Sequence, residues 1–158
     1  MIAKRYQPFW QTKSLTEMNS EEWESICDGC GKCCLQKLED EETETVYYTN
    51  LACRQLDISA CQCKVYTERL EKVASCINLT AADLSVFHWL PDTCSYRLLH
   101  ETGSLPDWHP LIVGNRQKML QQGLTVSQYA INEDRVAEED WETHIIRWVH
   151  GMPEPIEL

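Results

Sequence analysis

The segment Cys27-Asp28-Gly29-Cys30-Gly31-Lys32-Cys33-Cys34 places four thiols within eight residues. Two cysteines separated by two residues can turn both sulfurs toward one ion, so Cys27-x-x-Cys30-x-x-Cys33-Cys34 has the spacing of a thiolate metal site closed with remote partners. Gly29 and Gly31 suit that use. A glycine between ligands lets the chain reverse tightly and aims backbone N–H groups at sulfur. The alternative is a buried or redox-active thiol patch in which Cys33 and Cys34 form a vicinal disulfide. The expected fold class is α+β and mainly helical. It is a small single domain, residues 1–158 with an N-terminal arm over 1–19, whose irregular cysteine-rich loops are organised around the thiolate site.

At 158 residues and 43% hydrophobic content, with six tryptophans, the chain can bury a core of its own. Nine cysteines also suit a secreted disulfide scaffold, but the count is odd and Met1-Ile2-Ala3-Lys4-Arg5-Tyr6-Gln7-Pro8 lacks the apolar stretch of a signal peptide. The expected compartment is the reducing cytoplasm, where clustered cysteines are metal ligands or redox groups more often than bridges. No run approaches the roughly 18 to 20 apolar residues that span a bilayer. A formal net charge of -11, without any lysine- and arginine-rich aromatic segment, disfavours nucleic acid as a partner. The partner indicated is a metal ion, and no protein partner is.

Ser14-Leu15-Thr16-Glu17 has capping-box form, and Trp23 and Ile26 follow at helical spacing, so a helix is expected to deliver Cys27. Residues 45–49 read as a short strand, residues 53–63 as a loop, and 65–73 as a helix. A helix from Thr80 is expected to break at Pro91 and resume over 92–99 until Gly103, followed by a turning segment to Gly114. Residues 115–122 read as a helix stopped by Gly123, and 125–131 as a second strand. The last periodic stretch, 138–150, puts Trp141, Ile145, Trp148 and Val149 on one helical face, and it is expected to close the core.

Cys53, Cys61, Cys63, Cys76 and Cys94 are weaker signals one by one, since a lone cysteine is often a small buried hydrophobe. Arg54, Lys64 and Arg69 lie near them in sequence and can balance thiolate charge. None of the five histidines stands at ligand spacing from a cysteine, and His144 reads as a packed or surface residue. Walker, dinucleotide, zincin and nucleophile-elbow motifs are all missing, so no catalytic residue is assigned.

Taken together, the CxxCxxCC segment, Cys53-Arg54-Gln55-Leu56-Asp57, Cys63-Lys64-Val65-Tyr66, Arg69 and Cys76 resemble the bacterial YkgJ-type cysteine-cluster family of zinc- or iron-chelating domains. The likeness is closest to its YcgN-like subgroup. It extends through Pro8-Phe9-Trp10, Trp89-Leu90-Pro91, Cys94-x-Tyr96-Arg97 and Leu105-Pro106-x-Trp108-His109-Pro110-Leu111. The resemblance implies Cys27, Cys30, Cys33, Cys34, Cys53, Cys63 and Cys76 as the family's cysteines. Cys61 and Cys94 lie outside the general pattern, and the Arg69 to Cys76 interval is longer than usual. Cys94 completes the candidate ligand set, and Cys61 is left out.

The function expected is zinc or iron chelation through clustered thiolates, in a chain that leans away from being an enzyme. The alternative is an iron–sulfur protein, such as one holding a 4Fe–4S cluster, with a redox or accessory enzymatic role. Its support is the ferredoxin-like spacing of Cys27, Cys30 and Cys33, from which the adjoining Cys34 and the lack of Cys-Pro depart. A third reading makes the chain an interaction module stapled by metal. Under the chelation reading, Cys30→Ser lowers both metal content and melting temperature, because a lost ligand removes folding energy supplied by binding. Glu42→Gln changes neither. Elemental analysis and thermal melts check both variants.

Overall fold

The computed structural model describes residues 7–73, 76, 79–81, 90–149 and 152–156. These fall into two compact units, one from residues 1–28 and 79–118, the other from 29–78 and 119–158.

In the first unit short helices surround an apolar cluster of Ile26, Leu90, Tyr96, Leu99 and Leu105, against which Phe9, Trp10, Leu15, Met18 and Trp23 of the N-terminal region pack. The capping box at Ser14 forms, but on a single 3-10 turn, Leu15–Glu17. Asn19 caps the helix itself, Ser20–Ile26, by accepting from Glu22 N–H at 2.8 Å. The helix expected over 92–99 is Ser95–Thr102, and Gly103 ends it at φ 74°. Trp23 stacks on Tyr96 at 4.6 Å, and the Tyr96 hydroxyl donates to Trp23 O at 2.7 Å, tying the two helices together. His109 is fully buried and bonded at both nitrogens: Nδ1 accepts from Leu111 N–H and Nε2–H donates to Ile26 O at 2.8 Å. A ring used on both sides is structural. The helix expected to begin at Thr80 falls largely outside the described residues.

The second unit is built on a sheet of five strands. Antiparallel pairing runs from β1 (Leu35–Glu39) to β2 (Val46–Ala52), β6 (Ile145–Val149) and β7 (Met152–Pro155), and β5 (Ile131–Asn132) adds to β2 in parallel. A separate hairpin joins β3 (Leu56–Asp57) to β4 (Gln62–Cys63). Leu35, Tyr48, Ala52, Leu56, Cys61, Val126 and Ile146 form the core. The ammonium of Lys32, itself 1% exposed, lies 4.7 Å over the Trp148 ring.

This architecture corrects the expectation of a mainly helical fold. Among the described residues the longest helix has eight residues. The segment predicted as the closing helix is a 3-10 run, Glu138–His144, followed by β6. Apolar residues at 145, 146, 148 and 149 satisfy helical spacing, but they equally suit a strand covered on both faces, and Ile145 and Ile146 are both buried. Their β-branched side chains then favour the extended form. Nor are the loops ordered by an assembled metal cage. Among the described residues no three cysteine, histidine or acidic side chains are arranged to hold one ion, and the sheet and the two apolar clusters order the chain instead.

Gly31 shows how tightly the thiol segment is seated on this core. Its φ is 80°, and an added Cβ would stand 2.5 Å from Cys61 Sγ and 2.7 Å from Val126 Cγ2. Gly31→Ala should destabilise the chain by about 3 kcal/mol, left-handed backbone cost and overpacking combined. Gly103→Ala, at φ 74° with nothing within 4 Å, should lose only about 1 kcal/mol. Urea unfolding of the two variants measures the difference.

Candidate metal centre

The sheet brings distant cysteines to one place through backbone register. β1 begins directly after Cys34 and pairs Leu35 with Ala52. One residue farther along, Cys53 N–H donates to Cys34 O at 2.8 Å. Cys53 O then accepts from Leu56 N–H at 2.9 Å, and Leu56 pairs with Cys63 in the β3–β4 hairpin. Between Leu35 and Lys37 the register slips, so that β2 spends extra residues opposite Gln36. Such bulges re-aim side chains beside sites.

Cys33 and Cys34 sit on a 3-10 turn, Lys32–Cys34, entered through the left-handed Gly31. Their side chains hydrogen-bond to each other, and that bond, then burial, then the neighbouring Cys33, Cys53 and Cys63, hold the Cys34 thiol far above its ordinary range. Burial likewise pushes up Cys53, with Glu133 and Cys63 adding to it. Cys76 is raised by burial and by Cys33, Cys63 and Cys53, against the opposing charge of Arg69. Cys34 thus feels Cys33, Cys53 and Cys63, and Cys76 feels Cys33, Cys53 and Cys63. The raised thiols of Cys34, Cys53 and Cys76 favour the neutral form until a cation displaces the proton.

The other candidates lie elsewhere. Cys30 belongs to the same unit, and its carbonyl accepts from Val126 N–H at 2.9 Å and from the Cys61 thiol at 3.2 Å. Cys61 is buried in the apolar core. Cys27 and Cys94 fall in the first unit, at the end of Ser20–Ile26 and the start of Ser95–Thr102. Their neighbours meet there: the Ser95 hydroxyl donates to buried Asp28 at 2.8 Å. His144 bonds Asn50 Oδ1 at 2.9 Å, the packing role expected of it, whereas His88 and His150 lie outside the described residues.

Of the three basic residues singled out by sequence, Arg69 acts on Cys76 while lying 4.1 Å over the Tyr66 ring. Arg54 is engaged elsewhere, bonding buried Glu133 at 2.8 Å and Asp134 at 3.3 Å. Gln36 holds the second oxygen of Glu133. Lys64 stands in the field of Asp57. The residue that sequence reading missed is Lys37, whose ammonium donates to Cys33 O and Leu35 O, each at 2.9 Å. Only the strand register, unread at residues 35–39, identifies it.

A domain family described as "Putative zinc- or iron-chelating domain" and marked by the CxxCxxCC signature matches residues 26–95 and so encloses all nine cysteines. A UPF0260 protein of Marinobacter nauticus is 55% identical over 142 residues, covering 90% of this chain and 96% of its own length. The chain belongs to the UPF0260 family. Further members come from Pectobacterium atrosepticum, 51% identical over 89% of this chain and 93% of its own, and Azotobacter vinelandii, 50% identical over 92% and 97%. No solved structure matches the chain. Family membership thus extends well beyond the cysteine segment.

Removing the Cys61 thiol tests the division between ligand and core cysteines. Cys61→Ala should keep full metal content while losing about 1–2 kcal/mol of stability, from the bond to Cys30 O and the vacated volume. Metal analysis alongside chemical denaturation checks both halves.

Proposed function

We propose that this chain chelates zinc or iron through clustered cysteine thiolates. The observation that carries the reading is the bonded Cys33–Cys34 pair standing with Cys53, Cys63 and Cys76 in one electrostatic neighbourhood. A single tetrahedral ion takes four thiolates, a number that Cys33, Cys34, Cys53 and Cys63 reach once their side chains turn toward the ion. Cys27, Cys30 and Cys94 complete the proposed ligand set. A bound ion supplies the positive charge that converts these thiols to thiolates, and a reducing cytoplasm keeps them available for it. We take residues 1–158 as one metal-binding domain with chelation rather than catalysis as its activity. An iron–sulfur cluster is the second reading, favoured by the two-residue spacings linking Cys27, Cys30 and Cys33.

Anaerobic purification followed by metal and acid-labile sulfide analysis tests this. Stoichiometric zinc or iron without sulfide is the expected result, and iron with matching sulfide favours the cluster. A folded chain that takes up neither metal overturns the proposal.

A further inference from the structure

The Lys37 ammonium is held in place by three fixed contacts: Cys33 O at 2.9 Å, Leu35 O at 2.9 Å and the face of Tyr48 at 5.0 Å. Among the described residues no carboxylate pairs with it. Cys33, Cys34, Cys76 and Cys53 all lie within its electrostatic reach. A half-buried cation held without a carboxylate partner is favoured by negative charge placed beside it.

Four thiolates around a divalent ion carry a net charge of about 2−, and a cation fixed beside them offsets that surplus. Arg54 is already occupied by Glu133 and Asp134. We infer that Lys37 is the built-in counter-ion of the thiolate site, a positioning residue that favours the more anionic metal complex without touching the metal. The inference rests on the chelation reading and deepens it. Because Lys37 lies on β1, the strand that follows Cys34, sheet register places its charge and the thiols together.

The assignment separates charge from packing. Lys37→Arg keeps the cation, and Lys37→Gln removes it while retaining a donor for the two carbonyls. With the full chain, Zn²⁺ affinity is measured in oxygen-free competition with a chromophoric chelator, and apoprotein melting reports folding. Lys37→Arg should stay close to wild type, and Lys37→Gln should bind about tenfold more weakly or worse. Equal affinity for Lys37→Gln and wild type overturns the inference, as does equal weakening by both variants, which assigns Lys37 to packing. Should Lys37→Gln fail to fold, Lys37→Met, which keeps the apolar stem against Tyr48, serves the same comparison.

The iron-loaded chain adds a readout that packing does not move. Reduction at an electrode adds one electron to Fe³⁺ held by thiolates, giving Fe²⁺ with no bond made or broken and a more negative complex. Losing the lysine should therefore lower the potential, by about 59 mV for a tenfold change in relative stability. An unchanged potential overturns the inference. A wild-type chain that binds neither zinc nor iron removes the chelation reading, and this inference with it. Wild-type binding with no difference in Lys37→Gln removes the inference alone.

Discussion

The hydrogen bond from Cys53 N–H to Cys34 O is the point at which the sheet brings distant cysteines together. Strand pairing is a discrete constraint: slipping by one residue turns each side chain to the opposite face. With Leu35 fixed opposite Ala52, Cys34 and Cys53 meet at the end of the ladder, and the next turn carries the chain into the hairpin that pairs Leu56 with Cys63. Nineteen residues of separation between Cys34 and Cys53 are closed by backbone geometry. The apolar core of Leu35, Ala52 and Leu56 holds that geometry in place, so the thiols inherit their positions from packing.

The chemistry was more legible in the sequence than the architecture. Cysteine spacing is a local signal, and the eight-residue segment at 27–34 announced thiol chemistry without any knowledge of the strands. The sheet was hidden for two physical reasons. Short strands such as Leu56–Asp57 and Ile131–Asn132 are too brief to show alternation. The longer β6 is apolar on both faces, and its pattern therefore imitates a helix. Leu35–Glu39 alternates poorly for another reason, since Lys37 turns inward to serve Cys33 and Tyr48. Arg54 illustrates the complementary error. Adjacency to Cys53 suggested charge balance, but a buried carboxylate 79 residues away claims the guanidinium.

Burial and charge pull against each other at this site. Removing thiols from water favours their neutral form, and each neighbouring thiolate makes the next deprotonation harder. The same crowding makes a divalent ion effective, because one cation offsets several interacting groups at once. Lys37 is itself lowered by burial and supported by the thiolates Cys33, Cys34, Cys76 and Cys53. Lysine and thiols are thus electrostatic complements, each making the charged form of the other easier to hold.

The core and the thiol segment also meet at Cys30. Cys30 O accepts both the Val126 amide and the Cys61 thiol, and left-handed Gly31 is the residue that lets that carbonyl face them. Tyr129, which feels Cys30 and Cys61, is pushed up to about 12 chiefly by burial, and its hydroxyl accepts from Trp148 Nε1 at 2.8 Å. Trp148 in turn lies under the Lys32 ammonium. The segment is therefore clamped at Cys30 through carbonyl bonds, at Lys32 through an aromatic face and at Cys33 through Lys37. Three anchors in four residues fix the backbone that carries Cys33 and Cys34, and a segment whose backbone is already ordered has little conformational entropy left to lose on binding a ligand.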